Sequence, residues 1–130
     1  MKKLYYSHSM KLYNTVKERI TMAMLRIFFP ESKWIIINPS TLKFPPHTDP
    51  MEDYLRMVKI SNLLIIQEFN GYLGKGVFLE YSIAEKEKIP TLLIREINSK
   101  FQLLKIRKTK IIDSSDLKYR FAQITKVSPI

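Results

Sequence analysis

Apolar positions along the chain alternate between two rhythms. Short runs of strand length occur at "KLYYS" (3–7), "WIIIN" (34–38), "NLLIIQ" (62–67) and "TLLIRE" (91–96), and the continuous ones are expected to be buried on both faces. Between them the spacing becomes helical. From Met10 to about Phe28, Leu12, Tyr13, Val16, Ile20, Met24 and Ile27 recur on one predicted face. In "MEDYLRMVKIS" (51–61), Tyr54, Leu55, Met57 and Val58 gather near one side, with Asp49 as cap and Pro50 as first helical residue. "GVFLEYSIAEKEK" (76–88) predicts a third helix with Phe78, Leu79 and Ile83 inward.

Strands that alternate with helices need crossover connections, which makes neighbours parallel. The expected fold is α/β, a three-layer Rossmann-like or flavodoxin-like arrangement: a mainly parallel sheet of four to five strands with helices on both faces, in one domain spanning residues 1–130. The tail is expected to hold a strand in "KIIDSSD" (110–116) ending at Asp113, then a short helix over 116–124 capped by Ser114 or Ser115. Residues 97–110 read as a basic hairpin arm, an edge segment or an irregular excursion. Met10, Met22, Phe28 and Phe29 fall outside the first helix's stripe, and covering them predicts a homodimer.

Composition narrows the chemistry. No apolar run approaches the roughly 18 residues that cross a bilayer, and no apolar stretch follows the two N-terminal lysines, so a cytoplasmic, intracellular protein without a membrane partner is expected. The 130 residues include no cysteine and two histidines, which removes thiolate chemistry and leaves no metal site or cofactor to expect. The formal charge of +10 favours an anionic partner. Five basic residues and no acid lie in 100–110. Lys105, Arg107, Lys108 and Lys110 there either contact nucleic acid or keep an exposed strand soluble.

Ligands of open α/β sheets bind beyond the carboxyl ends of the strands. That rule selects Ser7, His8 and Ser9 after the first strand, Asn38 and Ser40 after the second, Glu68 and Asn70 after the third, and Arg95 and Glu96 after the fourth, while Tyr6 near the same edge is a candidate to stack on a base. All three glycines of the chain, Gly71, Gly74 and Gly76, fall in "NGYLGKGVFLE" (70–80) beside Tyr72, which marks that loop as a binding loop for a sugar or phosphate. Neither a Walker A loop nor a dinucleotide signature is present. Glu80 has two readings: a carboxylate that complements the dipole in the first turn of the third helix, or a nucleophile toward an anomeric carbon. The second requires an acid to protonate the leaving base, supplied by Glu68 or His8.

"GKGVFLEYSIAEKEKIPTLLI" resembles the segment of nucleoside 2-deoxyribosyltransferases in which Gly-Thr-x-x-Glu-x-Gly-x-Ala opens a helix and Lys-Pro-Val begins the next strand; Gly76, Glu80, Ala84 and Pro90 fall at the matching offsets. "KKLYYSHSM" is similar to the family's opening, and the element order agrees over residues 1–96. The resemblance implies a nucleoside or nucleotide substrate, with Glu80 as the nucleophile that takes the sugar from the base. Val77, Ser82 and Ile89 depart from the pattern, Gly74 stands where an acidic residue holds the base, and Ser7 and His8 replace a small Ala-Gly pair. Two functions follow: an N-glycosidic bond hydrolase or deoxyribosyltransferase, or a non-catalytic nucleotide- or nucleic-acid-binding protein on the same fold.

Overall fold

A computed structural model of the chain describes residues 1–46, 49–106, 111–114, 118–121 and 124–126. The four apolar runs form β1 (Lys2–Ser7), β2 (Trp34–Ile37), β3 (Leu63–Gln67) and β4 (Thr91–Ile97), and the helical segments form α1 (Val16–Phe28), α2 (Pro50–Lys59) and α3 (Lys75–Lys86). Each helix starts where its first free N–H groups meet the local sequence. Thr15 Oγ1 accepts from Glu18 N (3.2 Å) ahead of α1, and Asp49 Oδ1 accepts from Met51 N (3.0 Å) ahead of α2, with Pro50 at the first helical position. Gly74 precedes α3 and supplies no side-chain cap.

β1 runs parallel to β2 and to β3, and β3 runs parallel to β4. Among the described residues the main sheet has the order β2-β1-β3-β4-β5-β8, with β5 (Lys100–Ile106) and β8 (Ile124–Lys126) antiparallel to their neighbours. Side chains alternate across it. Leu4, Tyr6, Ile65 and Ile94 pack with Leu25 of α1, while Tyr5, Leu64, Ile66 and Leu93 pack with Val58 of α2 and with Val77 and Ala84 of α3. The expected three layers are therefore present, and full burial of each such aliphatic side chain contributes about 1.5–3 kcal/mol.

Several sequence expectations are corrected. Within the segment expected to be helical at 116–124, the described residues are strand: β7 (Lys118–Phe121) pairs antiparallel with β6 (Ile111–Ser114) in a second sheet, and Ile124 opens β8. The reason is the period of two in "KYRF", where Phe121 is buried and Lys118 and Arg120 face out. β4 and β5 form a hairpin through Asn98 and Ser99, both left-handed at φ 51° and 62°, as a two-residue turn matching strand twist requires. Residues 100–106 thus lie between β4 and β8 and not at the sheet edge.

β2 is an edge strand, so Ile35 remains exposed and the run is not buried on both faces. Two helices are rotated in part from their expected faces, although Met24 of α1 and Ile83 of α3 pack on the core as expected. On α1, Val16, Ile20 and Ile27 are exposed at 59%, 51% and 79%, while Glu18, Thr21 and Leu25 are buried and Met22, Phe28 and Phe29 pack on the core. On α3 the buried residues are Val77, Glu80 and Ala84. In both cases polar side chains occupy the inner face, which hydrophobic spacing assigns to apolar ones. Among the described residues no helix is long and apolar enough to cross a membrane.

Candidate active site

β1 and β3 end side by side, Ser7 opposite Ile66, and the strand order reverses between them. That switch point is where open α/β sheets leave a crevice. A cavity of about 310 Å³ lies there, near the lower end of the range for small-molecule sites. Its walls come from three directions: His8, Lys11 and Tyr13 after β1, Met51 and Tyr54 of α2, and Gly74, Lys75 and Gly76 at the start of α3. Glu80 lines it as well.

Glu80 is 6% exposed. Ser7 Oγ donates to its Oε1 at 2.9 Å. The Tyr5 hydroxyl neighbours the carboxylate and favours its charged form, although Tyr5 Oη and Glu80 Oε2, both buried, make no hydrogen bond of ordinary length and angle. Burial pushes the Glu80 carboxyl up to about 7, and the hydroxyls of Tyr5 and Ser7 oppose that rise. Burial also raises the Tyr5 phenol far above its ordinary range, Glu80 adding to it. α3 begins at Lys75, which makes Glu80 its sixth residue, beyond the first turn where a helix dipole stabilises a carboxylate.

The glycines divide into two roles. Asn70 and Gly71 occupy a tight turn at φ 52° and 83°, closed by Phe69 N–H to Tyr72 O (2.9 Å) and Tyr72 N–H to Phe69 O (3.2 Å). Gly71 therefore answers to backbone geometry. Gly74 and Gly76 do not, because their φ is not positive and an added Cβ would meet nothing within 4 Å. Both line the cavity. Leu73 between them and the turn is tied to β7 by reciprocal hydrogen bonds with Tyr119 (2.7 and 2.9 Å), and the Tyr119 ring stacks on Phe78 at 3.8 Å.

The other expected site residues are placed as follows. His8 lines the cavity, but its Nδ1 faces the Tyr6 carbonyl at 3.0 Å and its Nε2 meets Glu18 Oε2 at 2.5 Å, so neither nitrogen is directed at a ligand. Burial lowers the His8 pKa, while Glu18 and the Tyr6 carbonyl act the other way. Tyr6 stacks on His8 and donates to Gln67 Oε1 on the α1 side of the sheet. Glu68 is held by Arg95 through two bonds of 2.6 and 2.7 Å and does not line the cavity. Asn38 caps the short turn Pro39–Thr41 by accepting from Ser40 N.

Asn70 and Tyr72 sit at the turn, outside the cavity wall, with the Lys118 ammonium 5.7 Å from the Tyr72 ring centroid. Lys105 is exposed on β5, and Arg107, Lys108 and Lys110 lie outside the described residues. The structure thus brings together Ser7, His8, Ser9, Gly74, Gly76 and Glu80. Sequence reasoning missed Lys11, Tyr13, Met51, Tyr54 and Lys75. Lys75 was legible as a neighbour of two loop glycines; Tyr13 and Tyr54 were read as helix-face residues. Among the described residues no group of three or more His, Asp or Glu side chains could hold a metal ion.

No family model matches the sequence, and no curated protein does. Solved structures that share the fold include the following two. A 2-desoxiribosyltransferase from Leishmania mexicana superposes with a TM-score of 0.59 at 9% identity, covering 94% of this chain and 80% of its own. A conserved protein from Enterococcus faecalis V583 gives 0.57 at 16% identity, covering 72% of this chain and 62% of its own, so less than two thirds of that protein is spanned. At such identities the likeness is one of fold: the chain is an α/β protein whose architecture matches that of the 2-desoxiribosyltransferase.

Proposed function

We propose that the chain acts on the N-glycosidic bond of a nucleoside or nucleotide, as a hydrolase or a deoxyribosyltransferase, with Glu80 as nucleophile. The observation that carries this is a buried carboxylate at the strand-order switch, one oxygen fixed by Ser7 and the other without a partner. In the first half-reaction Oε2 bonds to the anomeric carbon as the carbon–nitrogen bond breaks. The electron pair leaves with the base, which takes a proton. Water or a second base then receives the sugar and restores the carboxylate. The residues lining the cavity include no second carboxylate, and the titratable side chains that line it beside Glu80 are His8, Lys11, Tyr13, Tyr54 and Lys75.

Three features support the reading beyond geometry: the fold shared with a 2-desoxiribosyltransferase, the spacing of Gly76, Glu80, Ala84 and Pro90, and the placement of Glu80 beyond the helix's first turn. Exposed Val16, Ile20 and Ile27 on α1 give the homodimer its support, and light scattering that returns a monomer mass would remove that part. The catalytic part is tested by acid-quenching the protein with each 2′-deoxynucleoside or 2′-deoxynucleotide and weighing it intact and after digestion. A deoxyribosyl adduct on the peptide that contains Glu80, absent from Glu80→Gln, is expected. Adduct at another residue rejects Glu80 as the nucleophile.

A further inference from the structure

α1 and α2 begin at side-chain caps, Thr15 and Asp49, whereas α3 begins at Gly74, which has no side chain to fix the first turn. The loop ahead of it holds Gly71 as well. Such a start is prone to fray, because the first N–H groups of a helix lack partners and glycine gives the most permissive backbone. Glu80 is nevertheless only 6% exposed and lies 2.9 Å from Ser7 Oγ, so the start of α3 is held against β1 by something other than a cap.

β7 supplies that restraint. The Tyr119 N–H donates to Leu73 O at 2.9 Å, and the Tyr119 carbonyl accepts from Leu73 N–H at 2.7 Å, one residue before the cavity wall begins at Gly74. Tyr119 and Phe121 alternate onto one side of β7, and each meets an aromatic ring of α3. Tyr119 stacks on Phe78 at 3.8 Å and 8°, and Phe121 meets Tyr81 edge-on at 5.0 Å. Phe78 and Tyr81 are three residues apart, neighbours one turn apart on the helix surface. The strand is thus laid along α3 in two aromatic rungs, the first of them at the uncapped end. The face left to the interior carries Val77, Glu80 and Ala84.

We propose that Tyr119 is a positioning residue for the candidate site: it holds the start of α3 so that Gly74, Lys75 and Gly76 stay in the cavity wall and Glu80 stays shielded from water against Ser7. Its importance for turnover rests on the reading of Glu80 as nucleophile, but the titration of Glu80 reports on it without turnover. The titratable groups around Glu80 are Tyr5 of β1, His8, Lys11 and Tyr13 after it, Tyr54 of α2 and Lys75 of α3. Those of β7 that carry charge, Lys118 and Arg120, face out. Loss of the Tyr119 ring therefore reaches the Glu80 carboxyl by admitting water and not by removing a charge.

Carbon-13 NMR of the side-chain carboxyls of the full chain, with the Glu80 signal assigned by Glu80→Gln, reads this directly. Tyr119→Ala should bring the Glu80 midpoint down from about 7 toward 4.5, by roughly one pH unit or more, and should speed hydrogen exchange of the Leu73 amide about tenfold. Tyr119→Phe keeps the ring and the backbone bonds and should match the wild type in both measurements. Phe78→Leu removes the stack from the helix side and should repeat the effect, which serves if Tyr119→Ala does not fold. An unmoved midpoint in either folded variant overturns the proposal even where the melting temperature falls, since Tyr119 would then support the fold alone. A lowered midpoint in a protein whose wild type releases no base keeps Tyr119 in its positioning role and removes the glycosidic reading instead.

Discussion

Glu80 concentrates the conflict between stability and chemistry in one residue. Its carboxyl is raised from 4.5 to about 7, so the folded state favours the protonated form. The stability this gives is fully present below pH 4.5 and is lost as pH rises through about 7. A shift of that size corresponds to about 3 kcal/mol. Glu80→Gln, which never ionises, should therefore become more stable than the wild type as pH is raised from 4.5 to 8, by up to that amount, in chemical denaturation. A constant difference across that window would show that Glu80 is not desolvated as described. Ser7 acts on the same group. Its bond to Oε1 favours the charged form, and a hydrogen bond to a charged group is worth about 1.5–3 kcal/mol. In Ser7→Ala the rising limb of kcat/KM against pH, expected near 7 in the wild type, should move up by about one to two pH units. An unmoved limb would assign it to another group.

The elements were legible where hydrophobicity alone decides them. β1, β3 and β4 are runs that two layers of helix bury, and α2 announced itself through Asp49 and Pro50. The faces of α1 and α3 were not legible, because Glu18 turns inward to His8, Thr21 to Gln67 and Glu80 to Ser7. Such partners lie in other elements, out of reach of local spacing. The C-terminal hairpin was misread for a related reason: serine caps suggested a helix, while the pairing of Tyr119 with Leu73 fixes the strand. The glycine loop separates local from functional causes. Gly71→Ala should cost about 1–2 kcal/mol, the penalty of a side chain in left-handed backbone. Gly76→Ala should leave stability equal or raised by about 0.5–1 kcal/mol, because alanine favours helix, yet lower turnover by filling the cavity. Thermal melts and initial rates on the two variants distinguish these effects, and full activity in Gly76→Ala would place the ligand elsewhere.

At the scale of the molecule, the parallel core positions chemistry through its strand order. β1 and β3 part company at the switch point, and the turn after β1 and the loop after β3 meet around one cavity. The sequence pointed to this edge through the strand-end rule and the resemblance at Gly76 and Glu80, but the cavity's other wall, Met51 and Tyr54, comes from α2 and emerges only on folding. The charge of +10 suits a site whose mouth carries lysines. The central claim is that Glu80 cleaves an N-glycosidic bond, and chromatographic measurement of free base tests it most directly. Wild type and Glu80→Gln are incubated with single nucleosides and nucleoside monophosphates at pH 8, where the carboxylate is ionised. The wild type should release base from at least one of them, and Glu80→Gln should do so slower by a factor of about 100 or more, losing the nucleophile while keeping the fold. Equal release by the two proteins, or none by the wild type from any substrate, would contradict the account.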